Sequence, residues 1–346
     1  MFFHRRRSNR ARDSHLVKFK IQDVKKMPKV TCIGLGNMGR ELAGRVIQCG
    51  EYDVVLWDKY LPAAEACSKA NNDTLYTETV GEALKNADIV LTCVINTDGT
   101  QEICESAVKE LKEKGLYDEF AAREKLWLDT TSGSGDPESL RPVLECMRDS
   151  NFKYVDCAVS GGPHGARAGV LTAMVGGEEA HVNEVMHVLE RFASNINHLG
   201  PNGAGHAVKA VNNMLLALNL IASSEALVGL AKAGIHPEKA LKAIGTSSGR
   251  SFVMEKRYPT NIFTRNFDYG FTLKNMVKDC GNSARIIESG QSHAPLLAFA
   301  KEQAEAALKE LGPDVCHTEI VKIAENKSGM PNVLSHASLE GKDSGN

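Results

Sequence analysis

Lys209 and Asn213 are the residues of this chain whose types and spacing most directly invite chemistry. Residues three and four apart share a helix face, so this amine and amide, with Asn212 beside them, can point at one place. A lysine with a pKa of about 10.4 is a poor base at neutral pH, so proton transfer requires burial and the positive end of its helix to lower that value. A shift of about two units corresponds to ~2.7 kcal/mol of disfavoured charge, which the fold must supply. Read alone, a helix lysine is more often one that snorkels from a buried stem.

The element that must position them is GPNGAGHAVKAVNNMLLALNLIASSEALVGLAKAG, Gly200 to Gly234. Three glycines open it and an apolar helix follows; roughly 28 residues at ~1.5 Å each span ~42 Å, the length of a beam between two domains. Being apolar almost all round, it must be buried on several sides. Asn219, Ser223, Ser224 and Glu225 interrupt the run, which argues against a membrane span.

A second constellation is GLGNMG, Gly34 to Gly39. Lys29 to Ile33 reads as a buried strand, the glycines turn it into a helix running to about Cys49, and Asp53 to Trp57 reads as a second strand ending at Asp58. Strand, glycine turn, helix, strand and an acid 19 positions after the last glycine form the dinucleotide-binding fingerprint in its required context. Gly34 permits the tight turn, Gly36 lets backbone approach a pyrophosphate, and Gly39 lets helix and strand pack closely. The pyrophosphate then lies on the helix N-terminus, with Leu35, Asn37 and Met38 completing the turn. Asp58 would accept from the ribose hydroxyls of NAD and repel the extra phosphate of NADP, a preference that Lys59 can soften.

The alternation continues through a strand at Ala87 to Asn96, a helix at Thr100 to Lys114 and a strand at Leu126 to Asp129. It implies a doubly wound parallel sheet whose ligands bind beyond the strand C-terminal ends, where Asn96 to Asp98 and Thr131 to Ser132 fall. After a helix near Pro137 to Ser150, Ser160, Gly161 and Gly162 follow another strand. Gly165 and Gly169 keep the turn small before a strand at Leu171 to Val175. That loop reads either as a structural hairpin or as a hydroxyl and approachable N–H groups suited to a carboxylate. A helix at Ala180 to Phe192 and a strand at Asn195 to Leu199 close the domain. Beyond Gly234, His236 to Gly245, Phe271 to Ser289 and Pro295 to Leu311 read as helices.

With 346 residues, 41 basic against 43 acidic, the chain has room for two domains and gives no electrostatic case for nucleic acid or membrane as a partner. Nine scattered cysteines without a CxxC pair suit a reducing compartment and predict neither disulfides nor a metal site. The first twelve residues, with five arginines and no acid, have the composition of a mitochondrial transit peptide; a cytoplasmic protein with an upstream extension is the competing reading. From about Lys327 the chain is polar and reads as disordered. The expected organisation is a basic extension over 1–27, a dinucleotide-binding domain over 28–200, an interdomain helix over 201–234, a helical domain over 235–326 and a tail over 327–346.

These pieces together resemble the β-hydroxyacid dehydrogenase family, from residue 29 to about 325. The resemblance rests on GLGNMG (Gly34 to Gly39), DCAVSGGPHGARAG (Asp156 to Gly169), GAGHAVKAVNN (Gly203 to Asn213) and FTLKNMVKD (Phe271 to Asp279), in that order. It implies an α/β, Rossmann-type doubly wound domain joined by a long helix to an all-helical domain. It further implies an NAD(P)-dependent dehydrogenase of a small β-hydroxyacid, such as 3-hydroxyisobutyrate, or of a semialdehyde such as tartronate or succinic semialdehyde. By the same resemblance Lys209 is the catalytic acid/base and Asn213 its orienting partner. Ser160, Gly161 and Gly162 would hold the substrate carboxylate, Thr131 or Ser132 would lie by the nicotinamide, and Lys278 would close the pocket; Asn96, from its loop beyond the strand end, and Lys278 count with the cofactor-binding residues. Relatives pair through their second domains, so a homodimer or homotetramer is expected. The chain departs from the family at Ile95-Asn96, where Leu-Pro is usual, at SGSGDP, and in SSGRSFVMEKRYPTN around Gly249. Two alternatives are an imine reductase, against which Lys209 argues, and a dehydrogenase-like module kept for binding or oligomerisation.

Overall fold

The computed structural model describes residues 27–336; the basic extension before Met27 and the end of the expected tail lie outside the described residues. Strand β1 (Lys29–Ile33) leads through the glycine turn into α1 (Gly39–Gln48) and β2 (Asp53–Trp57). Helices α2 (Leu61–Ala70) and α3 (Val80–Leu84) precede β3 (Ile89–Thr92), followed by α4 (Thr97–Glu113), α5 (Tyr117–Ala122) and β4 (Lys125–Asp129). Then come α6 (Pro137–Asp149), β5 (Phe152–Ser160), α7 (Gly162–Ala168), β6 (Leu171–Gly176), α8 (Glu179–Leu189) and β7 (Ala193–His198). The sheet has seven strands in the order β2-β1-β3-β4-β5-β6-β7. All pairs are parallel except β5–β6, so the doubly wound sheet is mostly parallel with one antiparallel pair.

Two local expectations are corrected. The strand read as Ala87 to Asn96 stops at Thr92, because the Asn96 side chain accepts the Gly99 N–H and starts α4 at Thr97. The stretch after Ser160 is no plain hairpin turn: it folds into α7, entered through Gly161 and left through Gly169 in the left-handed region.

Helix α9 (Ala204–Lys232) is the beam. By length and mean hydropathy, 1.8 over its most apolar window, it would pass for a membrane span. It packs on β5 and β6 at its head and on the second domain beyond, which buries 44% of that window and leaves Val208 and Leu215 exposed. That domain consists of α10 (Pro237–Gly245), a π-helix (Val253–Ile262), α11 (Leu273–Ser289), α12 (Pro295–Leu311), a 3-10 turn (His317–Ile320) and α13 (Val321–Lys327). Neither the π-helix nor α13 was expected. Its core gathers Met214, Leu220, Leu227, Tyr258, Ile262, Leu273 and Met276. Val333 and Leu334 join that core at 6% and 0% exposure, so the stretch after Lys327 is packed at least to Leu334 rather than disordered from its start.

Candidate active site

The glycine turn is held by contacts that only glycine permits. Gly34 has φ +82°, and a Cβ there would stand 2.4 Å from the Cys93 carbonyl oxygen; a Cβ on Gly39 would stand 1.8 Å from the Gly34 carbonyl oxygen. Gly36 has no atom within 4 Å of its Cβ position, so its backbone faces open space. Helix α1 starts at Met38 without a side-chain cap, leaving its first N–H groups for an anion. The side chains of Leu35 and Met38 pack on the sheet core, so both serve the cradle through backbone. Asn37 accepts a hydrogen bond from Arg40 Nη2 at 3.1 Å. Asp58 accepts the Leu35 N–H at 2.6 Å on Oδ2 and the Tyr60 N–H at 2.8 Å on Oδ1. It thus ties the turn to the end of β2 and keeps lone pairs for ribose hydroxyls. An open phosphate cradle with an acid at the neighbouring strand end fits a nicotinamide dinucleotide.

At the head of α9, Lys209 and Asn213 are buried at 9% and 4% exposure. Asn213 Nδ2 donates to Asp279 Oδ2 at 2.6 Å, and its Oδ1 accepts from Asn212 at 3.0 Å. Asp279, itself buried, meets Lys278 Nζ at 3.1 Å. Burial lowers the Lys209 pKa to about 8, against the pull of Asp279 and with a smaller push from Lys278. The positive helix end expected to help is already engaged: Asp156 accepts the Gly203 N–H at 2.7 Å and the His206 N–H at 3.0 Å. Asp156 occupies that helix end, and desolvation is the largest cause of the lowered lysine pKa. His206 lies one turn before Lys209, with its Nε2 3.3 Å from the Tyr154 hydroxyl, which donates to Asp129 at 2.9 Å.

The second domain is stitched to the loops beyond the strand ends. Lys278 Nζ donates to the Ile95 carbonyl at 2.8 Å and the Ser132 carbonyl at 2.7 Å, and Asn282 Nδ2 donates to the Gly133 carbonyl at 3.0 Å. Arg285 reaches Ser134 and Asp136, both at 3.4 Å. Residues 278, 282 and 285 share one face of α11, so this helix clamps the SGSGDP stretch. Thr131 is fully buried; its Oγ1 accepts the Val94 N–H at 3.1 Å, and its own N–H donates to Asp129 at 3.1 Å. Its hydroxyl therefore joins the loops after β3 and β4. Asn96 is exposed and caps α4. Ser160 ends β5, while Gly161 and Gly162 follow at φ +134° and +69°. A Cβ on Gly162 would stand 2.8 Å from the Tyr269 hydroxyl, so the second domain closes over this loop as well.

The structure thus gathers Lys209 and Asn213 with Lys278 at Asp279, while the glycine turn and Asp58 follow the C-terminal ends of β1 and β2. Asp156, Asp279, Asn282 and Arg285 were not singled out as site residues; for Asp279 the signal was its place beside Lys278 within FTLKNMVKD.

Residues 29–200 match the family model for the NAD binding domain of 6-phosphogluconate dehydrogenase, and residues 203–324 that for NAD-binding of NADP-dependent 3-hydroxyisobutyrate dehydrogenase. The chain is 31% identical over 315 residues to the 2-(hydroxymethyl)glutarate dehydrogenase of Eubacterium barkeri, covering 89% of this chain and 98% of that protein. It is 30% identical over 274 residues to the mitochondrial 3-hydroxyisobutyrate dehydrogenase of Drosophila melanogaster, covering 78% and 80%. Among solved structures, the Mycobacterium tuberculosis 3-hydroxyisobutyrate dehydrogenase with L-serine superposes with a TM-score of 0.72 at 26% identity, covering 86% of this chain and 98% of that one. Matched from the first strand of the sheet to the last helix of the second domain, the chain belongs to the β-hydroxyacid dehydrogenase family, whose members are nicotinamide-dependent oxidoreductases acting on hydroxyl groups.

Proposed function

We propose that this chain oxidises the terminal hydroxyl of a small acid of the form HOCH2–CH(R)–COO⁻ to the semialdehyde, and catalyses the reverse, with Lys209 as general acid/base. The 3-hydroxyisobutyrate and 2-(hydroxymethyl)glutarate named for its relatives share that unit and differ in R. The observation that carries the reading is a lysine buried at the head of α9, lowered to about 8, beside an asparagine anchored by Asp279.

The cradle at Gly34 to Gly39 and Asp58 would hold NAD, with NADP admissible beside Lys59. Bound there, the nicotinamide supplies the hydride acceptor. Neutral Lys209 takes the hydroxyl proton onto Nζ as the carbon–hydrogen bond breaks, and in reverse the protonated amine returns it to the carbonyl oxygen. Asn213, fixed by Asp279, orients the reacting oxygen from the next turn of α9. Ser160 and the backbone of Gly161 and Gly162 receive the carboxylate common to all such acids. Lys278, anchored on Ile95 and Ser132, holds the second domain against the nicotinamide loops and keeps water out.

The test is NADH and NADPH fluorescence during turnover of 3-hydroxyisobutyrate, 2-(hydroxymethyl)glutarate, L-serine, glycerate, 4-hydroxybutyrate and the tartronate and succinic semialdehydes. Turnover of an HOCH2–CH(R)–COO⁻ acid that fails in Lys209→Ala, with cofactor binding intact, is the expected result. Cofactor binding with no turnover across the panel would turn the reading towards a binding module.

A further inference from the structure

We infer that Arg257 is the receptor for a second anionic group, so that the R group of the substrate ends in a carboxylate. The inference rests on the function proposed above and deepens it.

Arg257 lies in the π-helix, an element that recurs at functional sites because its wider turn re-aims side chains. Its guanidinium carbon sits 3.6 Å from the centre of the Tyr269 ring and 5.1 Å from that of Phe252. Stacking on two aromatic rings fixes the plane of the guanidinium while leaving its N–H edge unused. Its Nε is buried without an acceptor, and among the described residues no carboxylate pairs with it. The nearby basic groups do not share its situation: Arg265 is neutralised by Glu325 at 3.0 Å, and burial pushes His317 down to about 4, which keeps that imidazole neutral. Asp268, the acid closest along the chain to Tyr269, is exposed and bonds Asn261 instead. An oriented, half-buried guanidinium left without an anion is costly unless an anion arrives with the ligand.

Its position ties it to the substrate loop. The Tyr269 ring on which it stacks sets its hydroxyl 2.8 Å from where a Gly162 Cβ would stand and is braced edge-on by His317 at 5.5 Å. Tyr269 also leads directly into α11, which carries Lys278 and Asp279. One aromatic ring therefore separates the loop that would take the first carboxylate from a fork built for another. Phe252 is 58% exposed, so this side is open to an incoming side chain of the substrate. A methyl R group gives Arg257 nothing to bind; a carboxyalkyl group gives it a bidentate partner.

Two arms test this. The first compares kcat/KM for 2-(hydroxymethyl)glutarate and 3-hydroxyisobutyrate in the wild type, Arg257→Met and Arg257→Lys. Expected are at least a tenfold preference of the wild type for the diacid, loss of that preference through KM in Arg257→Met with the monoacid altered less than threefold, and partial recovery in Arg257→Lys. The second needs no turnover: calorimetric binding of glutarate and butyrate to the NADH-loaded wild type and Arg257→Met. Glutarate should bind at least tenfold tighter than butyrate only when Arg257 is present. Equal binding of the two acids by the wild type, a wild-type preference for the monoacid, or an equal loss for both acids in Arg257→Met would overturn the inference. Turnover of the monoacid alone would leave the proposed reaction standing while removing this role for Arg257, whereas glutarate binding without any turnover would remove the reaction and keep the receptor.

Discussion

Replacing Lys209 with methionine separates the stability and the catalytic consequences of one buried amine. In the folded chain its pKa falls from 10.5 to about 8, a difference of about 2.5 units, or roughly 3 kcal/mol of disfavoured charge. Between those two values the unfolded chain holds a proton that the folded chain has released, so stability rises with pH across this window. Integrated from pH 7 to 9.5, the lysine should add about 2 kcal/mol to the unfolding free energy as pH rises, a contribution absent from Lys209→Met. Urea denaturation of both proteins at the two pH values reads this as a double difference, in which every other titrating group cancels. The same variant should lose several orders of magnitude in kcat while still binding NAD. In the wild type, oxidation should gain rate as pH rises through about 8 and reduction should gain as it falls, because the base and the acid are the two forms of one amine. Parallel stability profiles for the two proteins would refute the argument that burial holds this amine partly neutral.

Two further perturbations probe the frame. Gly39→Ala places a methyl where the Gly34 carbonyl oxygen already stands, 1.8 Å away, so the turn must open; a loss of about 1–3 kcal/mol in unfolding free energy and abolished NAD binding by fluorescence titration are expected, and near wild-type binding would contradict the packing described. Lys278→Met removes the charged donor to the Ile95 and Ser132 carbonyls and a cation that helps lower Lys209, so the ascending limb of the oxidation pH profile should move to higher pH and KM for NAD should rise. An unmoved limb would show that this charge does not reach Lys209.

What the sequence by itself determined is what neighbouring residues decide. The strands Lys29–Ile33 and Asp53–Trp57 and the glycine turn between them were legible with their boundaries, since hydrophobic runs and glycines act over a few positions. Helix α9 was legible too, from one long apolar run with glycines at its entry. The tertiary structure alone decided what surrounds the amine. Asp156 caps α9 from 47 and 50 positions away, Asp279 holds Asn213 across 66, and Lys278 reaches Ser132 across 146. No local period signals such pairs, because a carboxylate or an ammonium reads the same in sequence whether it ends in solvent or against a helix end. The same reason hid Arg257, which in sequence is one basic residue in a polar stretch. It also hid Val333 and Leu334, two apolar residues in a polar segment that find a core built by helices far earlier in the chain. Long-range packing chose the partners, and through desolvation and pairing it sets the protonation of the lysine on which the proposed chemistry depends.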